Sequence, residues 1–186
     1  MIVTAFSSTP RRRGNSDILT DYAVEAAEEG GAAVEKITLN DYTLSPCTAC
    51  DVCQKSVDTS CIIDDDGEEL LSKVTASDSI ILASPIYFFT MSAQLKIFMD
   101  RWYALGGDGN WDAFAGKRLG VILTYGDSDP KKSGVFNAIG TFKDAARFLK
   151  IELIGIVHAS CSAEGDILDN PEALEEAREW GRKLAR

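Results

Sequence analysis

Four cysteines stand close together as Cys47-x2-Cys50-x2-Cys53-x7-Cys61. Thiolates three residues apart in a compact loop can converge on one cube of iron and sulfide, as ferredoxin-type runs do. Zinc usually takes two C-x2-C pairs separated by a longer spacer, so this spacing suits it less. Left free, the same thiols would also serve at a contact between subunits. Cys161 lies off the run and reads as an ordinary buried or loop thiol. His158 is the one histidine; with no His partner, a Cys–His catalytic pair is a poor fit, and packing is the simpler expectation.

The second concentration of chemistry is the opening stretch, Ile2 to Ser16, IVTAFSSTPRRRGNS. An apolar run (Ile2, Val3, Ala5, Phe6) breaks into a loop of hydroxyls and arginines, and helical periodicity begins after Asn15. A strand, a hydroxyl-rich loop and a helix N-terminus together suit a phosphate, because unsatisfied N–H groups and the positive end of the helix dipole point at one spot. Arg11, Arg12 and Arg13 add positive charge to a chain of net charge −10; by themselves they would be a solvated surface run. No G-x-G-x-x-G and no G-K-[ST] occurs here, which excludes a dinucleotide fingerprint and a P-loop. Residues 84–91 offer flat apolar surface (Pro85, Tyr87, Phe88, Phe89, Met91), or else a hydrophobic turn feeding a core helix. Residues 125–134 offer Tyr125, Gly126 and backbone groups. One phosphate plus one planar aromatic body suggests a mononucleotide with a large ring system.

These loops need a scaffold that brings them together. Strand candidates are Ile2–Phe6, Val34–Leu39, Ser79–Ala83, Leu119–Thr124 and Ile151–Val157. Between them run helical stripes: Ile18, Leu19, Tyr22, Ala23, Ala26; Leu70, Leu71, Val74; Leu95, Phe98, Met99, Trp102; Val135, Ile139, Phe142, Ala146, Leu149. Ala173, Ala177, Trp180 and Leu184 form the last. Asp64-Asp65-Asp66 reads as the capped start of the second helix and lacks EF-hand spacing. Trp102 and Trp111, flanking a Gly-rich loop, are expected to be exposed as contact or lid residues. Five strands alternating with five helices imply an α/β fold, a parallel sheet covered on both faces, in one domain over residues 1–186. Ligands of such sheets sit beyond the carboxyl ends of the strands, where the three loops should converge. The acidic balance argues against nucleic acid and anionic membranes as partners. No apolar run is long enough to span a bilayer, and no signal peptide is evident, so the cytoplasm is expected.

Thr9-Pro-Arg-Arg-Arg-Gly-Asn-Ser resembles the S-P-R-x-x-G-N-[ST] signature of the NADPH-dependent FMN reductase family. Ser84-Pro-Ile-Tyr-Phe-Phe-Thr-Met-Ser-Ala-Gln-Leu-Lys, ending in Asp100-Arg101, resembles that family's second signature. Thr9 stands where serine is usual and keeps the hydroxyl. The resemblance implies a flavodoxin-like three-layer sandwich with a five-stranded parallel sheet of order 2-1-3-4-5. It also implies FMN, with NAD(P)H as co-substrate. Ser7, Thr9, Arg11, Asn15 and Ser16 would lie at the FMN phosphate. Pro85, Ile86, Tyr87 and Phe88 would line the isoalloxazine, with Thr124, Tyr125 and Gly126 at its other edge. The cysteine run looks like that of the iron–sulfur flavoprotein branch, where Cys47, Cys50, Cys53 and Cys61 would bind a [4Fe–4S] cluster.

The activity so implied is hydride transfer from NAD(P)H to the flavin N5, then electron transfer to a quinone, a flavin or another small acceptor, or through a cluster to a redox protein. The flavin carries the chemistry, and no side chain is assigned as acid or base. A homodimer or homotetramer is implied as well. The rival is an electron carrier without a substrate, but flavodoxins use a T-x-T-G-x-T loop that is absent here.

Overall fold

The computed structural model describes residues 1–186. Its elements are β1 (Ile2–Ser7), α1 (Asn15–Glu29), β2 (Ala33–Thr38), α2 (Gly67–Ala76), β3 (Ser79–Tyr87), β4 (Thr90–Met91), α3 (Ala93–Arg101), β5 (Arg118–Tyr125), α4 (Pro130–Ser133), α5 (Val135–Leu149), β6 (Glu152–Ser160) and α6 (Pro171–Leu184). Five strands run parallel in the order β2-β1-β3-β5-β6. This is the expected flavodoxin-like order. One strand is additional: β4 folds back antiparallel on the end of β3, pairing Ile86 with Met91 and Tyr87 with Thr90.

β3 runs four residues past the expected Ala83 and carries Pro85 in its extension. Proline has no ladder donor to give. The placement works because β1 pairs with β3 only as far as Ala83, so Pro85 has a neighbour on the β5 side alone, opposite Thr124.

Successive strand residues face opposite layers. Phe6, Ile80, Leu82, Val121 and Leu123 pack under α2, α3 and α5 with Leu70, Phe98 and Phe142. Val3, Ala5, Ile81, Ile122 and Val157 pack under α1 and α6 with Leu19, Trp180 and Leu184. Both sheet faces are therefore covered, which is why the strands read as continuous apolar runs.

Two expectations fail here. Trp102 is not exposed: it is buried against Phe98 and Phe114, at centroid distances of 5.7 and 5.2 Å. It continues the inward stripe of α3. Trp111 is half-buried, against Phe114 and Phe148. The acidic triplet does not cap α2 through Asp66, whose side chain accepts from Thr43 N at 2.6 Å instead. Asp65 forms a buried ion pair with Arg101, described below. No helix is long and apolar enough to cross a membrane.

Candidate flavin cleft and cysteine loop

The carboxyl ends of β1, β3, β5 and β6 enclose a cleft of about 230 Å³. Its wall includes Thr9, Arg11, Asn15, Ser16, Pro85, Ile86, Tyr87, Thr124, Tyr125 and Gly126. The three loops singled out in the sequence thus meet at one place. The loop after β1 is a tight cradle. Thr9 Oγ1 accepts from Arg11 N at 3.3 Å, and Gly14 N donates to Arg11 O at 3.0 Å. The N–H groups of Thr9, Asn15 and Ser16 have no acceptor within the chain, nor does the Ser16 hydroxyl have a partner. Free donors at a helix start form an anion site. Of the three arginines, Arg11 lines the cleft without an ion-pair partner, whereas Arg12 pairs with Asp41 at 3.1 Å.

Two expected residues stand elsewhere. Ser7 lies beneath the cleft, fully buried, and donates to Asp17 Oδ1 at 3.2 Å. Asp17 also accepts from Arg13 N and pairs with Lys36 at 2.8 Å, so its charge is matched below the anion site. Phe88 stands at 96% exposure in the turn between β3 and β4, because the hairpin turns it out of the cleft. It lines a neighbouring hollow of about 330 Å³ with Phe89, Asp127, Lys132 and Ser133, which shares Ile86, Tyr125 and Gly126 with the cleft. Asn15 lines the cleft, yet its side chain is engaged: Nδ2 donates to Ala163 O at 2.7 Å and Oδ1 accepts from Ile167 N at 3.2 Å. Its backbone N–H is what remains for a ligand.

Cys161, Ser162 and Glu164 complete the wall. Cys161 N donates to Tyr125 O at 2.7 Å, which ties the β6 loop to the end of β5. Burial, helped by Asp166, pushes the Cys161 thiol up to about 11. Burial and Cys161 together push the Tyr125 phenol up, and its oxygen lies 3.2 Å from His158 Nδ1. Below the cleft, Ser92 Oγ donates to Ser8 Oγ at 2.9 Å, and Ser92 N donates to Ser84 Oγ at 2.9 Å.

The cysteine loop lies apart from this cleft. Cys47 and Cys50 are exposed, Cys53 is buried and Cys61 is half-buried; all are free thiols. No three of the chain's His, Cys, Asp or Glu side chains are gathered as metal ligands. Cys47 Sγ accepts from Ala49 N at 3.4 Å and Cys53 Sγ from Gln54 Nε2 at 3.5 Å. Arg101 closes the base of the loop: Nη1 donates to Asp65 Oδ2 at 2.8 Å and to Ser45 O at 3.1 Å. Both charged side chains are buried, at 1% and 2% exposure. Arg101 Nε and Nη2 have no hydrogen-bond partner within the chain. Four free thiols on one loop have the donor chemistry of an iron–sulfide group. In its present shape the loop keeps the sulfurs apart.

Comparison with known proteins identifies the architecture. The sequence model of the NADPH-dependent FMN reductase family matches residues 1–142. The chain belongs to that family. An iron-sulfur flavoprotein of Methanocaldococcus jannaschii is 44% identical over 205 aligned positions, spanning 100% of this chain and 96% of the relative. A putative NAD(P)H-dependent FMN-containing oxidoreductase of Bacillus subtilis is 27% identical over 180 positions, spanning 95% and 94%. Among solved structures, an NAD(P)H:quinone oxidoreductase from Methanothermobacter marburgensis superimposes with a TM-score of 0.72 at 18% identity, covering 100% of this chain and 98% of that one. That likeness concerns the fold.

This FMN reductase family member is therefore an oxidoreductase whose flavin is FMN and whose electron source is NAD(P)H, on the branch with the iron–sulfur flavoproteins. Sequence reasoning missed Ser8, Ser92, Cys161, Ser162 and Glu164. The last three come from the loop after β6, far along the chain, and only the pairing of β5 with β6 brings them to the cleft. Arg101 carried a signal: it is a charged residue next to Trp102 at the inward end of an apolar stripe.

Proposed function

We propose that the cleft holds FMN, with its phosphate in the Thr9–Ser16 loop and its ring system between Pro85–Tyr87 and Thr124–Gly126. The enzyme would pass electrons from NAD(P)H to a quinone, a free flavin or another small acceptor. The supporting observation is the meeting of free N–H groups at the start of α1 with flat apolar surface from β3 and β5 in one cleft. Bound there, FMN supplies hydride acceptance from a nicotinamide and onward electron delivery. The chain's residues do the rest. Thr9, Asn15 and Ser16 donate backbone N–H groups to the phosphate, and Arg11 offsets its charge. Pro85 and Ile86 keep water from one side of the ring, while Tyr125 and Gly126 bound its other edge.

Under this reading residues 1–186 act as one FMN-binding domain in the cytoplasm, as a homodimer or homotetramer. The cysteine loop is the proposed site of a [4Fe–4S] cluster through Cys47, Cys50, Cys53 and Cys61. Support comes from its donor chemistry and from the iron-sulfur flavoprotein relative. Loading would have to draw the sulfurs together.

The test is an absorption spectrum with iron and sulfide assays on protein purified without air, followed by NAD(P)H oxidation with added quinone or free flavin. Flavin bands with about four irons per chain support both sites. Flavin without iron, after reconstitution, sinks the cluster alone. Failure to take up added FMN would sink the cleft assignment, and flavin without steady NAD(P)H oxidation would favour a carrier.

A further inference from the structure

We infer that the hollow beside the cleft receives the electron acceptor, and that Lys132 selects there for planar aromatic acceptors bearing one anionic group, a sulfonate, carboxylate or phosphate. The inference rests on the cleft reading above and narrows the small acceptor to a chemical class.

The hollow measures about 330 Å³ and shares Ile86, Tyr125 and Gly126 with the cleft. Ligand sites usually run from about 300 to 1,000 Å³. This one sits at the small end, which suits a molecule of two or three fused rings better than a dinucleotide. Part of its wall is apolar. Phe88 and Phe89 meet edge to face, with centroids 5.7 Å apart and planes at 70°, and both are exposed. Flat aromatic surface left open to water suits another ring.

The rest of the wall is polar, and one of its side chains is uncommitted. The Tyr125 hydroxyl lies 3.2 Å from His158 Nδ1. Asp127 Oδ1 accepts from Asp129 N at 2.8 Å. Ser133 Oγ donates to Pro130 O at 2.8 Å and accepts from Val135 N at 3.1 Å. Lys132 is exposed, and its ammonium has neither a hydrogen-bond nor an ion-pair partner. The nearby acids are occupied by their own loop, since Asp129 Oδ1 in turn accepts from Lys131 N at 2.9 Å.

A chain of net charge −10 repels anions at long range. A free cation on the wall of a hollow reverses that preference locally, and one cation matches one anionic group. The reaction remains that of the proposed function. NAD(P)H gives two electrons and one proton as hydride, water gives the second proton, and a quinone acceptor becomes a hydroquinone.

The experiment compares naphthoquinone sulfonate with unsubstituted naphthoquinone as acceptors for the FMN-loaded protein. The chains are wild type, Lys132→Gln, Lys132→Arg and Lys131→Gln. Both lysines are exposed, and equal FMN content confirms folding. Each kcat/KM is referred to wild type with the same acceptor, which cancels the intrinsic reactivity of the quinones. Lys132→Gln should lose about fivefold with the sulfonate, the upper value for an exposed ion pair, and less than about twofold with the neutral quinone. Lys132→Arg should restore the sulfonate rate. Lys131→Gln should match wild type, because Lys131 does not line the hollow.

Naphthalenesulfonate, which is not reduced, gives a readout without turnover. Its binding to the FMN-loaded protein, followed by NMR titration, should weaken by the same factor in Lys132→Gln. Equal losses with both quinones, or none with either, overturn selection by Lys132 and leave the cleft reading intact. A raised KM for NAD(P)H with unchanged acceptor preference would assign Lys132 to the electron donor and overturn it as well. A wild-type chain that takes up no FMN, or that reduces neither quinone, overturns the underlying reading.

Discussion

The hydroxyl of Ser92 donates to the hydroxyl of Ser8 across 2.9 Å, in full burial, between residues 84 positions apart. Ser8 in turn donates to Ala83 O, and Ser92 accepts from Leu95 N as the N-cap of α3. One hydroxyl pair thereby holds the proposed phosphate loop against the proposed ring loop. Ser92→Ala should cost about 1–2 kcal/mol of stability, combining a lost cap with a lost buried hydrogen bond. FMN affinity should fall too, although Ser92 does not line the cleft. Urea unfolding and FMN titration of Ser8→Ala, Ser92→Ala and the double variant would separate coupling from simple destabilisation. Strict additivity for FMN binding would mean that the two loops act independently.

Neighbours Asn15 and Ser16 should fail in opposite ways. Ser16 has a free hydroxyl and a free N–H at the anion site, so Ser16→Ala should weaken FMN by roughly tenfold, about 1.4 kcal/mol, and leave stability nearly unchanged. Asn15 spends its side chain on Ala163 O and Ile167 N. Asn15→Ala strands two partners and should cost about 1–3 kcal/mol of stability, with the β6 loop losing order. Paired melting and flavin-fluorescence titrations decide this; a binding loss confined to Asn15→Ala would reverse the assignment.

The sequence made the scaffold legible because each buried strand and helix stripe has a period that survives tertiary context. Phe6 and Leu82 fall on one sheet face, Val3 and Ile81 on the other, as strand alternation requires. Long-range side-chain economy was not legible. Asn15 sits in a motif that points at a phosphate, yet its amide is used 148 residues away. Asp65 looked like a cap because three acids precede a helix, whereas its partner lies on α3. Trp102 illustrates the reverse lesson: helical periodicity placed it inward, and the adjacent glycines were the misleading cue.

The Arg101–Asp65 pair should leave a pH signature. Burial alone would raise the Asp65 carboxyl, but the Arg101 guanidinium and the N–H groups of Ser45 and Gly67 outweigh it and hold the group below the usual carboxylate range. A depressed folded-state value means that the stabilisation is complete above the unfolded value, near pH 4, and is lost as pH falls through the folded one. Asp65→Asn should lose about 3–5 kcal/mol at neutral pH, because a buried charge is left unpaired. The gap to wild type should narrow as pH drops below about 4. Denaturant midpoints across that range are the check, and a constant gap would mean that Asp65 is not the titrating group.

Cys161 should be chemically quiet despite lining the cleft. With its thiol pushed up to about 11, roughly one part in a thousand is thiolate at pH 8, and the thiolate is the reactive form. Brief iodoacetamide treatment of metal-free protein, read by peptide mass spectrometry, should label exposed Cys47 and Cys50 and spare Cys161. Bound FMN should make little difference to that pattern. Rapid labelling of Cys161 in folded protein would contradict its burial.

The tip of the β3–β4 hairpin is where local backbone preference and sequence conflict most. Phe88 and Phe89 take positive φ of 48° and 72° at the two central positions of a two-residue turn, where Asn-Gly is the relaxed choice. The strain is held from outside. Gly134, itself at φ 84°, lies so close that an added Cβ would fall 2.3 Å from Phe89 Cα, and Asn137 Nδ2 donates to Phe89 O at 3.1 Å. Strain that surrounding contacts over-determine tends to sit at functional sites. Here it sets two aromatic rings beside the hollow that shares Ile86, Tyr125 and Gly126 with the cleft. Replacing the pair by Phe88→Asn with Phe89→Gly should raise stability by about 1–3 kcal/mol, read as a higher urea midpoint. It should also lower kcat/KM for an aromatic quinone by about tenfold, the loss of roughly one aromatic contact, while ferricyanide reduction stays near wild type. Greater stability with unchanged quinone turnover would show that the rings at the tip serve something other than the acceptor.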